Sequence, residues 1–150
     1  MIDFDNPTQV AALKFAVMWG YVPKADFISS IDNVIIKHED PPPSILCELS
    51  VCKFDHEIYS ILDKLSEEHN RIESLKFFLR KYVRDNMGSA DDIYHLAGCI
   101  SGRTNWEDPA PFSKMKALFH ELQDAKIGVY GDYNTLCADY QKLIMQVKGS

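Results

Sequence analysis

Apolar positions recur every three or four residues through most of the chain, the spacing that gathers them on one face of a helix. Residues 8–19 are apolar nearly all round, as in a helix buried on every side. They follow Asn6-Pro7, a capping residue and a proline suited to a first helical turn. Gly20 then closes the helix. Residues 24–37 set Phe27, Ile28, Ile31, Val34 and Ile35 on one face and Asp26, Ser30, Asn33 and Lys37 opposite. Asp40-Pro41-Pro42-Pro43 stops the pattern, because consecutive prolines remove backbone donors and push each preceding residue out of helical geometry.

After the prolines, Ile45, Leu46, Leu49 and Cys52 fit a short helix, but residues 45–54 are apolar enough to form a strand instead, and the pattern leaves both open. From Asp55, read as an N-cap, Ile58, Ile61, Leu62 and Leu65 make one stripe while Glu57, Asp63, Lys64, Glu67 and Glu68 face water. Ile72, Leu75, Phe78, Leu79, Tyr82 and Val83 repeat the stripe up to Asn86-Met87-Gly88. Ser89-Ala90-Asp91-Asp92 resembles a capping box with Asp at the third helical position, opening a helix that runs to Ser101 and stops at Gly102. Residues 102–111 form the one long polar connection, where Trp106 is expected to anchor the loop against the body. Phe112, Met115, Leu118, Phe119 and Leu122 mark another helix. Tyr133, Leu136, Cys137, Tyr140, Leu143, Ile144 and Val147 mark the last, entered through Gly131-Asp132. Gly149-Ser150 is expected to pack nothing, as an appended remnant. The expectation is an all-α fold: one domain over residues 1–150, built as a bundle or short array of about seven or eight helices.

A chain of 150 residues that is 46% hydrophobic can bury a core unaided. The longest low-polarity run, residues 10–22, is interrupted by Lys14 and Gly20 and falls short of the roughly 20 residues that a membrane span needs. The opening Met1-Ile2-Asp3-Phe4-Asp5 is acidic where a secretory leader is basic, so a cytoplasmic location is the expectation. Cys47, Cys52, Cys99 and Cys137 lie on apolar-patterned segments and read as reduced core thiols.

Charge is distributed unevenly. Residues 1–70 hold twelve acidic and five basic side chains, residues 71–88 two and five, and residues 89–150 eight and six. Such asymmetry bears on partners rather than on fold. Lys76, Arg80 and Arg84 form a cationic stripe at four-residue spacing, but the net charge of −6 would repel nucleic acid, so the stripe reads as a solvated face or as an internal counterpart to the acidic helices. Glu39, Asp40, Glu48, Asp55, Glu57, Asp63, Glu67 and Glu68 fall within one proline-interrupted helical stretch and make up the candidate partner-binding surface. A cationic protein would be steered to it.

Catalytic signals are sparse. Asp91, His95 and Cys99, spaced by four, could present a carboxylate, an imidazole and a thiol on one helix face, the set that a small thiol enzyme would use. No second Cys/His pair at metal spacing, no His-Glu-x-x-His and no glycine-rich phosphate loop occurs, so no metal and no cofactor are expected. Residues 25–31 and 90–96 share Ala-Asp-x-Ile-x-x-apolar, an echo that would suit a helical-repeat adaptor.

The Trp19-Gly20 helix end, the wording of residues 35–50 and the absence of a catalytic motif in a compact acidic chain together resemble the small immunity proteins of bacterial toxin systems, including contact-dependent inhibition. The resemblance implies a non-enzymatic inhibitor that neutralises one cognate protein toxin. That toxin would typically carry a nuclease domain with a basic cleft, and binding would involve neither nucleic acid nor membrane.

Overall fold

The structure, a computed structural model, describes residues 2–37 and 44–149. Among these the chain forms eight helices and no strand, so the fold is all-α. In chain order they are α1 (Pro7–Met18), α2 (Lys24–Lys37), α3 (Ser44–Ser50), α4 (Asp55–Leu65), α5 (Arg71–Tyr82), α6 (Ala90–Ser101), α7 (Phe112–Lys126) and α8 (Tyr133–Lys148). The chain divides into two compact units, Met1–Phe78 and Leu79–Ser150, the division falling within α5. No helix of the described residues is long and apolar enough to cross a membrane.

In the first unit, α1 is the buried helix that its composition predicts: Val10, Ala11, Ala12, Leu13, Phe15 and Ala16 all lie in the core. Its first turn is capped by Asn6, whose Oδ1 accepts from the amides of Thr8 (3.0 Å) and Gln9 (3.3 Å), with Pro7 at the position where a missing N–H costs nothing. α1 packs on α4, which contributes Ile58 and Leu62. At the far end of α1, Phe15 stacks on Trp19 with centroids 4.9 Å apart. Trp19 and Tyr21 each meet Phe78 edge-on, at 5.0 and 5.3 Å. Such aromatic pairs add about 0.5–1.5 kcal/mol beyond the area they bury. The start of α5 is tied to α1 by polar bonds: Ser74 Oγ donates to the Thr8 carbonyl (3.1 Å) and the Asn70 amide to Thr8 Oγ1 (3.2 Å).

α3 packs on both α2 and α4. The helix-or-strand alternative over residues 45–54 resolves as helix for residues 44–50. The three-residue spacing of Leu46 and Leu49 buries both on one face, while Val51–Phe54 runs on as a linker. Asp55 is not the N-cap of α4 but its first helical residue. Phe54 holds the cap position with no side-chain bond. The carboxylate still favours the first turn, where the helix dipole is positive, and it pairs with Lys24.

In the second unit, α6, α7 and α8 each pack on the other two. Ile93, Leu96 and Ile100 meet Phe112, Met115 and Leu122, with Cys137, Tyr140, Ile144 and Val147, in a core that excludes water. The capping box forms as read: Ser89 Oγ accepts from the Asp92 amide and Asp92 Oδ2 from the Ser89 amide, both at 3.2 Å. Asp132 caps α8 through the amides of Asn134 (3.1 Å) and Thr135 (3.4 Å).

Other expectations meet the structure as follows. α5 ends at Tyr82 rather than at residues 86–88, because the next backbone finds partners elsewhere: Lys148 donates to the Val83 carbonyl and pairs with Asp85 at 2.7 Å, and Gln141 Nε2 donates to the Asp85 carbonyl. Trp106 lies by one face on His120 of α7 (5.0 Å, 23°) with the Lys116 ammonium 5.7 Å from its ring, holding the loop against that helix although the side chain is 58% exposed. All four cysteines are free, but only Cys137 is buried. Cys47 on α3 is exposed and Cys99 on α6 half-buried, each at the margin of its helix's apolar stripe, and Cys52 is half-buried in the linker after α3.

Candidate functional site

The acidic residues singled out in the sequence fall in separate places along the chain. Glu39 and Asp40 lie outside the described residues. The other six belong to the first unit, in two groups. Glu48 on α3, with Asp55 and Glu57 in the first turn of α4, surrounds the α3–α4 linker. Asp63 near the end of α4, with Glu67 and Glu68 in the turn after it, forms the second group. Asp55 and Asp63 are separated by roughly 12 Å along the helix axis at 1.5 Å per residue. That exceeds the Debye length of about 8 Å at physiological salt, so the two groups act on a partner separately.

Cations from neighbouring helices partly answer both groups. Lys14 of α1 pairs with Asp63, and Lys24 of α2 lies 3.5 Å from Asp55 while also donating to the Lys53 carbonyl. On the basic stripe, Lys76 pairs with Glu73 of its own helix at 3.3 Å. The neutralising role expected of that stripe thus falls, for Asp55 and Asp63, to Lys14 and Lys24.

Around the linker the field stays negative. Burial pushes the Cys52 thiol above its ordinary value, and the Glu57 and Glu48 carboxylates push it further in the same direction, with Lys24 opposing them last. The same linker exposes two large apolar side chains that fell within the stretch read as either helix or strand. Val51 is 74% exposed and Phe54 59%, the latter stacked on His56 with centroids 5.7 Å apart. Ile36, at the end of α2, is 78% exposed. An apolar centre bordered by Glu48, Asp55 and Glu57, with Lys53 within it, has the anatomy of an interface: a hydrophobic middle and a charged rim. Periodicity could not reveal it. An apolar residue one step beyond a helix end looks the same in sequence whether it turns inward or outward.

In the second unit the proposed catalytic set is not assembled. Cys99 Sγ and His95 Nε2 are 3.8 Å apart, but Asp91 engages other helices: its Oδ1 accepts from Lys126 Nζ of α7 (2.8 Å) and from Tyr133 OH of α8 (2.7 Å). The ammonium of Lys126 also stands over the rings of Tyr133 (4.8 Å) and Tyr94 (5.6 Å). Those hydrogen bonds hold the Asp91 carboxyl below its ordinary range and raise Lys126. Burial, followed by the bond to Asp91, raises the Tyr133 phenol. This is a clasp joining the start of α6 to the end of α7 and the start of α8. Burial also pushes the Cys99 thiol up, away from the thiolate that a nucleophile requires. Among the described residues no group of three or more His, Cys, Asp or Glu side chains is placed to hold a metal ion.

Comparison with protein families, with curated proteins and with solved structures finds no match for this chain.

Proposed function

We propose that this protein is a non-enzymatic inhibitor of the immunity type, which binds a cationic protein toxin domain through the acidic, apolar-centred face at the α3–α4 linker. One observation supports the reading: Val51 and Phe54 stand exposed on the linker that joins α3, which carries Glu48, to the first turn of α4, which carries Asp55 and Glu57. Side chains of that size exposed at the centre of a charged rim suit desolvation by a partner, and the carboxylates suit a partner of positive sign. The first unit carries thirteen acidic and seven basic residues, net −6, so a basic nuclease-like domain would be drawn to it from a distance and then held by short-range contacts. The rim steers and the linker anchors. A reducing cytoplasm suits the four free cysteines.

The test is titration against a basic nuclease domain of a toxin, sought in the coding sequence that neighbours this chain's own. Affinity is expected to fall as salt rises, and Glu48→Lys with Glu57→Lys is expected to slow association by about tenfold or more at low salt. Binding unchanged by salt and by both reversals would sink the electrostatic mechanism. The same reversals at Glu67 and Glu68, in the separate group, are expected to act more weakly.

A further inference from the structure

One turn apart on α6, His95 and Cys99 bring an imidazole nitrogen and a sulfur to a common point: Nε2 lies 3.8 Å from Sγ. Four-residue spacing sets the two side chains on one face of the helix, with Cβ atoms about 5–6 Å apart. Both reach solvent, His95 exposed and Cys99 half-buried. The backbone that carries them is held firmly. Ser89 and Asp92 cap its start, Asp91 is clasped by Lys126 and Tyr133, and Leu96, Ala97 and Ile100 are buried between and beside the two positions. Donors already fixed in place lose little freedom when a ligand joins them.

As a hydrogen bond the contact is weak, because a thiol is a poor donor and 3.8 Å is long. As a pair of metal donors it is well spaced. Zinc takes thiolate sulfur at about 2.3 Å and imidazole nitrogen at about 2.0–2.1 Å, which at a tetrahedral angle sets the two donors roughly 3.5 Å apart. The observed separation is within a few tenths of an ångström of that, a difference that a small turn of the exposed imidazole absorbs.

We propose that His95 Nε2 and Cys99 Sγ form a two-donor site for a divalent cation of the zinc class, with water in the remaining positions. Sulfur and imidazole nitrogen are the donors that select such an ion, whereas magnesium and calcium take oxygen. On binding, the S–H bond of Cys99 breaks, a sulfur–metal bond forms and the proton passes to solvent; nothing is oxidised or reduced. Closed structural zinc centres take four protein donors and catalytic ones three, so this site is of neither kind. It is an open clip that ties one turn of α6 in helical register. It stands apart from the toxin-binding reading, whose residues all lie in the first unit.

Titration of the full chain with Co2+ under reducing conditions tests this. Cobalt shares zinc's donors and shows a near-ultraviolet charge-transfer band when thiolate binds it. Cys47→Ser serves as the background, since it removes the exposed thiol. One equivalent of Co2+ is expected to bind with the band, and Zn2+ to displace it. Cys99→Ser is expected to abolish the band, and His95→Gln to raise the dissociation constant by about tenfold or more, at least what loss of an outer-sphere partner costs. Zn2+ is also expected to raise the melting temperature of the background chain, by mass action, and to leave that of His95→Gln unmoved. His95 is exposed, so circular dichroism of His95→Gln should show helix content unchanged. If Cys99→Ser loses helix content, Cys99→Ala and His95→Gln decide by the same readings. No thiolate band at about 1 mM Co2+ overturns the proposal. So does a band that survives loss of the Cys99 thiol, or a His95→Gln chain that binds as tightly as its parent.

Discussion

The two units differ in how they spend charge. In the first, thirteen acidic residues face seven basic ones, and of the carboxylates nearest the α3–α4 linker Asp55 is paired with Lys24. In the second, nine oppose nine, and the cation beside the exposed loop is engaged by Asp91 and two tyrosine rings. Each unit nevertheless exposes an apolar cluster: Val51 with Phe54 in one, and Ile127, Val129 and Tyr130 in the other. The difference teaches that an exposed apolar patch does not name its partner; the charge around it does.

The comparison can be broken most forcefully in the cores. Phe78→Ala removes the ring that Trp19 and Tyr21 both meet, and is expected to cost about 3–5 kcal/mol in urea-induced unfolding. Ile100→Ala, in the second unit, is expected to cost about 2–5 kcal/mol. Next in size is Phe54→Ala, which should weaken binding to a cationic partner by about 2 kcal/mol, roughly 30-fold by calorimetry, and leave the unfolding midpoint within experimental scatter. A loss of stability without a loss of binding would turn Phe54 from an anchor into a packing residue. The helix caps allow a like-for-like contrast: Asn6→Ala in the first unit and Asp132→Ala in the second should each cost about 1 kcal/mol.

The smallest effect concerns the clasp on Asp91. Its carboxyl is held below its ordinary value of 3.8, so the folded protein gains stability from it at pH above that value and loses the gain as pH falls through the lowered one. Asp91→Asn should therefore lower the melting temperature slightly at neutral pH and make no difference in strong acid. Equal effects at both pH values would remove the clasp from the account.

Much of the helical framework was legible in the chain because its signals are local. Asn6-Pro7, Ser89 with Asp92, and Gly131-Asp132 act within a single turn, and the all-round apolar character of residues 8–19 has only one comfortable environment. Where the reading failed, the deciding interaction was distant in sequence. Lys148 and Gln141 take up the backbone after Tyr82, some sixty residues earlier, and end α5 early. Asp91 was read with its helix neighbours His95 and Cys99, but its partners are supplied by α7 and α8. Both exposed apolar clusters escaped notice for a related reason. Val51, Phe54 and Tyr130 sit in connections, where three-residue spacing no longer reports which way a side chain turns.

One exposed side chain gives experimental access to the first unit. Cys47 stands in solvent on α3, a turn before Val51, while burial raises the thiols of Cys52, Cys99 and Cys137 and slows their reaction with electrophiles. A brief maleimide pulse at neutral pH should therefore attach a fluorophore almost wholly at residue 47. The native chain, without an engineered handle, would then report by its own emission whenever a partner settles over the α3–α4 linker.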